Sequence, residues 1–522
     1  MKALLSRIFS LRSLLWILAG LFTLYFVLVV SENWTGARSL AEAKAMLERE
    51  GETLNFQKLL PKPIPDAENF CAIEPLFGIT TPQMEVGSLP SRKREALTSL
   101  GWLSHAIKHE SKRPSLTLGG GFDLARPFNF KDAAAYLSEI KYVETPPNAD
   151  ATNVLAALDA KHPLLKQLSD DALTHHQAIF VPIFALDHEG PPFELPLVHH
   201  SASLEAVRAL SLRSHISMAA SDSETAVRSI QAALRLTQAT TQEPSLVSML
   251  VSVNELAITL HSVWGLLEQR AASDYQLARL QSDLDSIDLT QGTLMAVRGQ
   301  LAYVAGTVDW HKLRAAMRGH AFAIEIIDGH QDTPLMARII GPLLPDGWFD
   351  HNIATVIRLQ ADYIIKPLKS GSYVHLMEGM DDLHELIGQH RGFSHPHHIL
   401  FVLATSAHGE VLRQIVYSEA VHRQSVIATA LERHYLLHQK YPEALTELVP
   451  SLLKSVPLDP IDDQPMRYRQ TLGGRYILWS IGADRQDDNG TPPPEGKSGR
   501  IHHAAYPADW VWGYTPVPNA SR

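Results

Sequence analysis

Cysteine is nearly absent from this sequence. Among its 522 residues Cys71 is the single cysteine, so no disulfide can form within the chain. Such a protein has to be held together by its apolar core, and 45% of the residues are hydrophobic. A lone cysteine is most often a small buried hydrophobe, because a catalytic thiol needs an activating base beside it. We therefore expect Cys71 to have a structural role.

An excess of positive charge is also missing. The formal net charge is −10, and the sequence has no run of lysine and arginine interleaved with aromatic residues beyond its N-terminus. Proteins that bind nucleic acid usually present a basic face that neutralises phosphates. The charge balance therefore predicts that nucleic acid is not a partner.

Common catalytic motifs are lacking as well. The sequence contains no G-x-S-x-G, no Walker loop, no Rossmann fingerprint and no C-x-x-C. His384-Glu385 starts like an H-E-x-x-H zinc helix, but the next histidine is His390, which lies about 240° further around a helix. The two histidines do not share a helix face, which argues against that zinc motif. A Ser/His/Asp site could still be assembled from residues that are distant in sequence.

One long apolar segment lies near the N-terminus. Residues 14–30 carry no charge, and a helix of this length covers about 26 Å, close to the hydrocarbon thickness of a membrane. Lys2, Arg7 and Arg12 precede the segment, and Glu32 follows it. By the positive-inside rule, this pattern predicts a single-pass inner-membrane protein with a cytoplasmic N-terminus and its bulk in the periplasm.

A cleavable signal peptide is the alternative interpretation of the same segment. The apolar region of a signal peptide usually spans about 7–15 residues and ends in small residues of the A-x-A kind. Val29-Val30-Ser31-Glu32 offers no such cleavage site. The sequence therefore favours an uncleaved membrane anchor.

Helical periodicity dominates the rest of the chain. Ser221-Asp222-Ser223-Glu224 is a capping box that opens one amphipathic helix, and residues 246–267 predict a longer and more apolar one. Residues 38–50 are predicted to form a helix that Gly51 ends. Further long helices are predicted over 351–390 and 397–440.

These patterns predict a mainly α fold. An N-terminal transmembrane helix is followed by a helical bundle or solenoid-like array, and then by a small α+β C-terminal domain with an antiparallel hairpin. The predicted boundaries are 1–31 for the cytoplasmic stub and anchor, 32–200 for an extracytoplasmic region with a Pro-rich strap, 201–415 for the helical array and 416–522 for the C-terminal domain.

The C-terminal domain carries an ordered series of motifs. A helix is followed by Tyr441-Pro442, then by Asp459-Pro460, and finally by Ser480-Ile481-Gly482-Ala483-Asp484. Gly473-Gly474 separates two strand-like segments, which is a hairpin signal. Over residues 421–490 this series resembles the C-terminal part of the major pseudopilins of type II secretion. In that family a small antiparallel sheet ends in a Ser-x-Gly-x-Asp loop that binds calcium.

The resemblance implies a calcium loop here. It maps the carbonyl of Ile481 and the carboxylate of Asp484 onto ligand positions. Asp487 and Asp488 add oxygen donors close by, and calcium binds six to eight oxygens. The chain departs from the family by an insertion that lengthens the spacing to Asp509-Trp510. A solvated acidic turn is the alternative interpretation.

The whole chain is also similar to a family of membrane-anchored bacterial envelope proteins that join an anchor, a helical middle and this tail. The likeness implies a place in the envelope but brings no activity with it.

Histidine is abundant, with 26 in the chain. His395, His397 and His398 cluster in a predicted loop near His408, and three or four imidazoles form a zinc ligand set. The doublets His175-His176 and His199-His200 carry the same signal with less support. Histidines also cap helices and line the polar interiors of bundles, so these clusters predict zinc without excluding a structural role.

Three functions follow from the sequence. The first is a membrane-anchored extracytoplasmic scaffold or interaction protein of the bacterial envelope, without catalysis, whose partners are other envelope proteins. The second is a periplasmic metal-dependent hydrolase that uses the histidine-rich segment 384–408. The third is an accessory component of a secretion apparatus, which the tail favours. Residues Gly20 to Leu24 resemble the processing site of type IV prepilins. Those proteins carry an acidic residue at the next position, where this chain has Tyr25, and this difference argues against the secretion role.

Overall fold

The computed structural model describes residues 11–73, 128–146, 148–180, 198–307, 344–389, 397, 408–492 and 507–513. Within these ranges the chain is mainly helical and has one small antiparallel sheet of three strands, which confirms the predicted fold class in outline. The chain forms two compact units. Unit 1 comprises Met1–Lys58, Gln300–Lys366 and Gly379–Gly409, and unit 2 comprises Leu59–Gly299, Pro367–Glu378 and Glu410–Arg522. The domain boundaries proposed from the sequence stay predictions.

The α-helices are α1 (Leu11–Arg49), α2 (Phe130–Glu139), α3 (Ala151–Lys161), α4 (Pro163–Asp171), α5 (Val198–Ala219), α6 (Ser223–Thr241), α7 (Leu246–Glu268), α8 (Asp274–Asp285), α9 (Leu289–Ala302), α10 (Asp346–Gln360), α11 (Lys366–Lys369), α12 (Tyr373–Gln389) and α13 (His408–His438). Single 3₁₀ turns lie at Phe56–Leu59, Phe70–Ala72 and Leu445–Leu448, and π turns at Tyr303–Thr307 and Ala361–Ile365. The strands are β1 (Arg467–Gln470), β2 (Tyr476–Ser480) and β3 (Trp510–Val511).

Helix α1 joins the apolar N-terminal segment to the residues that follow it. Its apolar half is exposed, with Trp16 at 79% and Phe22 at 69%. The helix is long and apolar enough to cross a membrane, a property that signal sequences share. It ends at Arg49, and Gly51 then adopts a φ of +77°, as expected for a glycine after a helix.

The helix predicted over 38–50 is confirmed to within one residue, and it continues α1 without a break. Asn33 and Thr35 are residue types that often cap a new helix. Here the Thr35 hydroxyl instead donates back to the Ser31 carbonyl at 2.9 Å, and the Asn33 side chain accepts the N–H of Gly347 at 2.8 Å. With these side chains engaged and no proline between the apolar segment and residue 38, the helix continues to Arg49.

In unit 1, α10 packs along α1 at very short range. A Cβ added at Gly36 would lie 2.3 Å from the carbonyl oxygen of Gly347, and one added at Gly347 would lie 2.0 Å from the carbonyl oxygen of Glu32. Glycine at both positions therefore lets the two backbones touch.

In unit 2, α5, α6 and α7 pack against one another. Asp222 starts α6 by accepting the N–H of Thr225 at 3.0 Å, so the cap lies one residue after the predicted Ser221. Helix α7 closely matches the predicted apolar helix. It is long and apolar enough to cross a membrane, but 78% of its most apolar stretch is buried within the protein, which makes it a core helix.

The C-terminal sheet confirms the predicted hairpin. Strands β1 and β2 pair antiparallel with Arg467 opposite Trp479, and β3 adds to β2 with Val511 opposite Trp479. Gly474 turns the hairpin with a φ of +65°. Buried Asp459 accepts the Ser480 hydroxyl at 2.7 Å, which ties the Asp-Pro segment to the end of β2.

The contact between α1 and α10 predicts that one methyl group added at Gly347 destabilises unit 1. We expect Gly347→Ala to destabilise unit 1 by about 1–3 kcal/mol, because the backbones must separate. Gly388→Ala is the matched control, since Gly388 is helical and its added Cβ meets nothing within 4 Å. Limited proteolysis of the full chain in detergent, with cleavage sites mapped by mass spectrometry, checks this. Equal protease resistance of the two variants would contradict the close packing.

Candidate metal centres

Within the described ranges, two groups of three side chains bring metal-ligating atoms within 4.8 Å of one another. The first is His199, His200 and Glu243 in unit 2, called here the Glu243 cluster. The second is Glu32, His351 and His397 in unit 1, called here the Glu32 cluster. Each combines two imidazoles with one carboxylate, a ligand set that zinc and other transition metals accept.

The Glu243 cluster forms where α5 begins and α6 ends. His199 and His200 lie in the first turn of α5, and Glu243 lies in the short connection between α6 and α7. That connection is fixed by its backbone, since the N–H of Ser245 donates to the Glu243 carbonyl at 2.8 Å. The fold thereby brings together residues that are 44 positions apart.

The two imidazoles bind different oxygens of the same carboxylate. Nε2 of His199 lies 2.8 Å from Oε1 of Glu243, and Nε2 of His200 lies 2.7 Å from Oε2. The Ser248 hydroxyl, at the start of α7, lies 3.1 Å from Nε2 of His200. The Nδ1 atoms of both histidines are buried and have no hydrogen-bond partner among the residues that the structure describes.

Charge controls this cluster because water is excluded from it. His199 is 0% exposed, His200 5% and Glu243 7%. Burial would raise the pKa of Glu243, but the charge of His199 and the hydrogen bonds from both imidazoles outweigh burial and lower that pKa to about 2. The carboxylate is therefore ionised at neutral pH and needs a positive partner inside the protein.

A second buried carboxyl group, that of Glu255, lies further along α7. Its oxygens make no hydrogen bond of good geometry within the described part of the chain, although the hydroxyls of Ser203 and Thr240 lie near them. The nearby Thr240 hydroxyl donates instead to the Leu236 carbonyl at 3.1 Å. Burial raises the pKa of Glu255 to about 7, although the hydroxyls of Ser203 and Thr240 oppose the shift. Glu255 is thus poised to gain or lose a proton near neutral pH.

Cys71 lies close to both carboxyl groups. It is 0% exposed, and burial raises its pKa well above the usual range, with Glu243 and Glu255 adding to the effect. The thiol therefore stays protonated, and this environment favours the structural role expected from the sequence.

The Glu32 cluster lies just beyond the apolar part of α1. Nε2 of His397 lies 2.5 Å from Oε1 of Glu32, and the rings of His351 and His397 stack at 4.3 Å between centroids. Nε2 of His351 is 3.1 Å from the Thr35 hydroxyl. Burial and the neighbouring His397 ring lower the pKa of His351. In contrast to the Glu243 cluster, all three ligating residues are only half-buried.

The structure describes only part of the histidine set that the sequence predicts as zinc ligands. His397 belongs to the Glu32 cluster, but His395 and His398 lie outside the described residues. His408 is the first residue of α13, and its side chain also lies outside the description. Zinc at these four histidines stays a prediction.

Sequence reasoning missed the Glu243 cluster. The His199-His200 doublet was its one visible signal, and nothing in the sequence links that doublet to Glu243 rather than to another acidic residue. Glu32 and His351 were missed for the same reason, since Glu32 is 365 positions from its partner His397.

The predicted calcium loop follows β2. Asp484 accepts the N–H of Gln486 at 3.2 Å, and Asp487 accepts the indole N–H of Trp479 at 2.9 Å. Asp509, beyond the insertion, accepts the N–H of Gly490 at 2.7 Å and that of Asp488 at 3.3 Å. Asp509 therefore closes the loop, and calcium at Ile481, Asp484, Asp487 and Asp488 stays a prediction.

Comparisons of the chain with protein-family models, with curated proteins and with solved structures find no match. The clusters are therefore interpreted from their own chemistry.

The environment of Glu255 predicts a pH-dependent stability. Because its pKa of about 7 in the folded protein exceeds the ordinary value of 4.5, the folded state holds the proton more tightly than the unfolded state. The resulting stabilisation is complete below about pH 4.5 and is lost as the pH rises through 7. Between pH 5 and 8.5 we expect the wild type to lose about 2–3 kcal/mol relative to Glu255→Gln.

Urea unfolding of both proteins with a chelator present, followed by circular dichroism across this pH range, measures the difference. Glu243 is already ionised throughout the range, so it does not contribute. Parallel pH profiles for the two proteins would show that Glu255 is not desolvated.

Proposed function

We propose that this chain is a single-pass inner-membrane protein of the bacterial envelope that holds its helical units in the periplasm as a scaffold for other envelope proteins. The observation that carries the proposal is the continuity of α1. One helix supplies both an exposed apolar segment and a packed part of unit 1.

Exposure of the apolar half of α1 supports the membrane assignment. None of its most apolar 18-residue stretch is buried within the protein. Leaving so much apolar surface in water would be costly, at about 25 cal/mol for each Å². A lipid bilayer removes that cost, and the preceding basic residues orient the helix with its N-terminus in the cytoplasm.

Polar contacts beyond the apolar segment support a rigid tether. The Asn33 side chain binds the backbone of Gly347, Thr35 contacts His351, and Arg358 donates to the Ser39 hydroxyl at 3.1 Å. These contacts follow one another along α1 and α10. A membrane helix fixed in this way holds unit 1 at a defined place, which is what a scaffold requires.

A metal-dependent hydrolase is the second candidate, and the Glu32 cluster favours it. Two imidazoles converge there with a carboxylate, and their partial exposure would admit a substrate. We prefer the scaffold role because, unlike the hydrolase, it does not require a bound metal ion. The accessory role in secretion depends on the tail resemblance alone.

Cysteine labelling tests the membrane topology. Native Cys71 is 0% exposed and gives little background, so new cysteines report on their own surroundings. A membrane-impermeant maleimide should label Tyr275→Cys in intact spheroplasts, because Tyr275 is 71% exposed. It should label Lys2→Cys only after the membrane is permeabilised. The reverse pattern would contradict the proposed orientation. The native chain, treated with the same maleimide, is the control and should stay unlabelled.

The scaffold role is tested by photo-crosslinking in native membranes. Leu472, in the hairpin turn, and Leu437, near the end of α13, are exposed apolar residues suited to a crosslinking amino acid. A scaffold should give discrete adducts of defined mass from such positions. Adducts of lipid alone, or none, would contradict the scaffold and leave the hydrolase as the better candidate.

A further inference from the structure

We propose that the Glu243 cluster is a binding site for one divalent transition-metal ion, with zinc as the simplest occupant and His199, His200 and Glu243 as its ligands. The proposal concerns unit 2 alone and does not depend on membrane anchoring or on the scaffold role.

The geometry is close to that of a metal site. Zinc binds imidazole nitrogen and carboxylate oxygen at about 2.0–2.2 Å, so its ligand atoms lie about 3–3.6 Å apart. The Nε2 atoms of His199 and His200 already lie 2.8 Å and 2.7 Å from the oxygens of Glu243. Outward movement of the two rings by less than about 1 Å would admit the ion.

A fourth ligand is within reach. The Ser248 hydroxyl is 3.1 Å from Nε2 of His200, on the same side of the ring as Glu243. That hydroxyl, or a water molecule bound to it, would complete four-coordination. Since the cluster combines nitrogen and oxygen atoms, it favours zinc or a neighbouring transition metal over calcium and magnesium, which prefer oxygen alone.

Charge balance supplies the independent argument. Unit 2 buries a second carboxyl group, that of Glu255, which forms no ion pair among the described residues and has only the hydroxyls of Ser203 and Thr240 near its oxygens. Glu255 lies seven residues after Ser248 on α7, or about 10 Å along the helix. A divalent cation carries two positive charges, and the carboxylates of Glu243 and Glu255 carry one negative charge each. With both imidazoles neutral, the group has no net charge. Without the cation, protons must perform the same neutralisation.

Zinc titration of the full chain in detergent, after removal of metal with a chelator, tests the proposal. Competition with a chromophoric zinc chelator should reveal one tight equivalent in the wild type. Glu243→Gln keeps the shape of the side chain but removes its charge, so the affinity should fall at least about 100-fold. His200→Gln should give the same loss and serves as a second variant in case the first does not fold.

Two controls separate this site from other histidines. His261→Asn changes a buried histidine on α7 whose Nδ1 lies 3.0 Å from His215, outside the cluster. His351→Ala removes a ligand from the Glu32 cluster. Both variants should retain the tight equivalent. A wild type without a tight equivalent would overturn the proposal, and so would a tight equivalent that survives in a folded Glu243→Gln protein.

A stability measurement gives an independent answer from the wild type. Zinc should raise the midpoint of thermal unfolding of the wild type and of His261→Asn, because binding stabilises the folded state by mass action. No rise in either protein at a zinc concentration 100 times the measured dissociation constant would contradict a site built by the fold.

Discussion

Water is excluded from the place where α5, α6 and α7 meet, yet the carboxylate of Glu243 is ionised there. A buried anion without compensation costs several kcal/mol, so its partners have to come from the protein or from a bound ion. His199 and His200 supply them from the first turn of α5, and they fix that turn against the connection between α6 and α7. The position of α5 in unit 2 thus depends on the buried carboxylate of Glu243, which needs a positive partner.

Unit 1 is held by a different principle, which is close backbone contact rather than buried charge. Gly36 and Gly347 allow α1 and α10 to approach until their backbones touch. Polar groups of Asn33 and Arg358 then fix the two helices in register. If α1 spans a membrane, as we propose, this contact transmits the position of the membrane helix to unit 1 without a flexible linker.

Local signals in the sequence predicted local structure well. The apolar run at 14–30, the helix now seen at Leu246–Glu268 and the Gly473-Gly474 hairpin each depend on neighbouring residues, so each could be recognised. The helix over 38–50 was also predicted, but its continuity with the apolar segment was not, since the contacts of Asn33 and Thr35 with α10 depend on tertiary packing. The Glu243 cluster could not be predicted, since packing of three helices, rather than any spacing in the chain, brings its residues together. His397 was recognised as a ligand type, but its partners Glu32 and His351 lie 365 and 46 positions before it, and no spacing in the chain points to them.

The central claim is that unit 2 balances its buried charge with a cation at Glu243. X-ray absorption spectroscopy at the zinc edge, on the full chain loaded with one equivalent, tests it most directly. We expect two imidazole nitrogens together with oxygen ligands at about 2.0–2.2 Å, and weaker imidazole scattering in His200→Gln, which removes one of the two rings. A first shell of oxygen alone, or an unchanged spectrum in that variant, would place the ion elsewhere and contradict the claim.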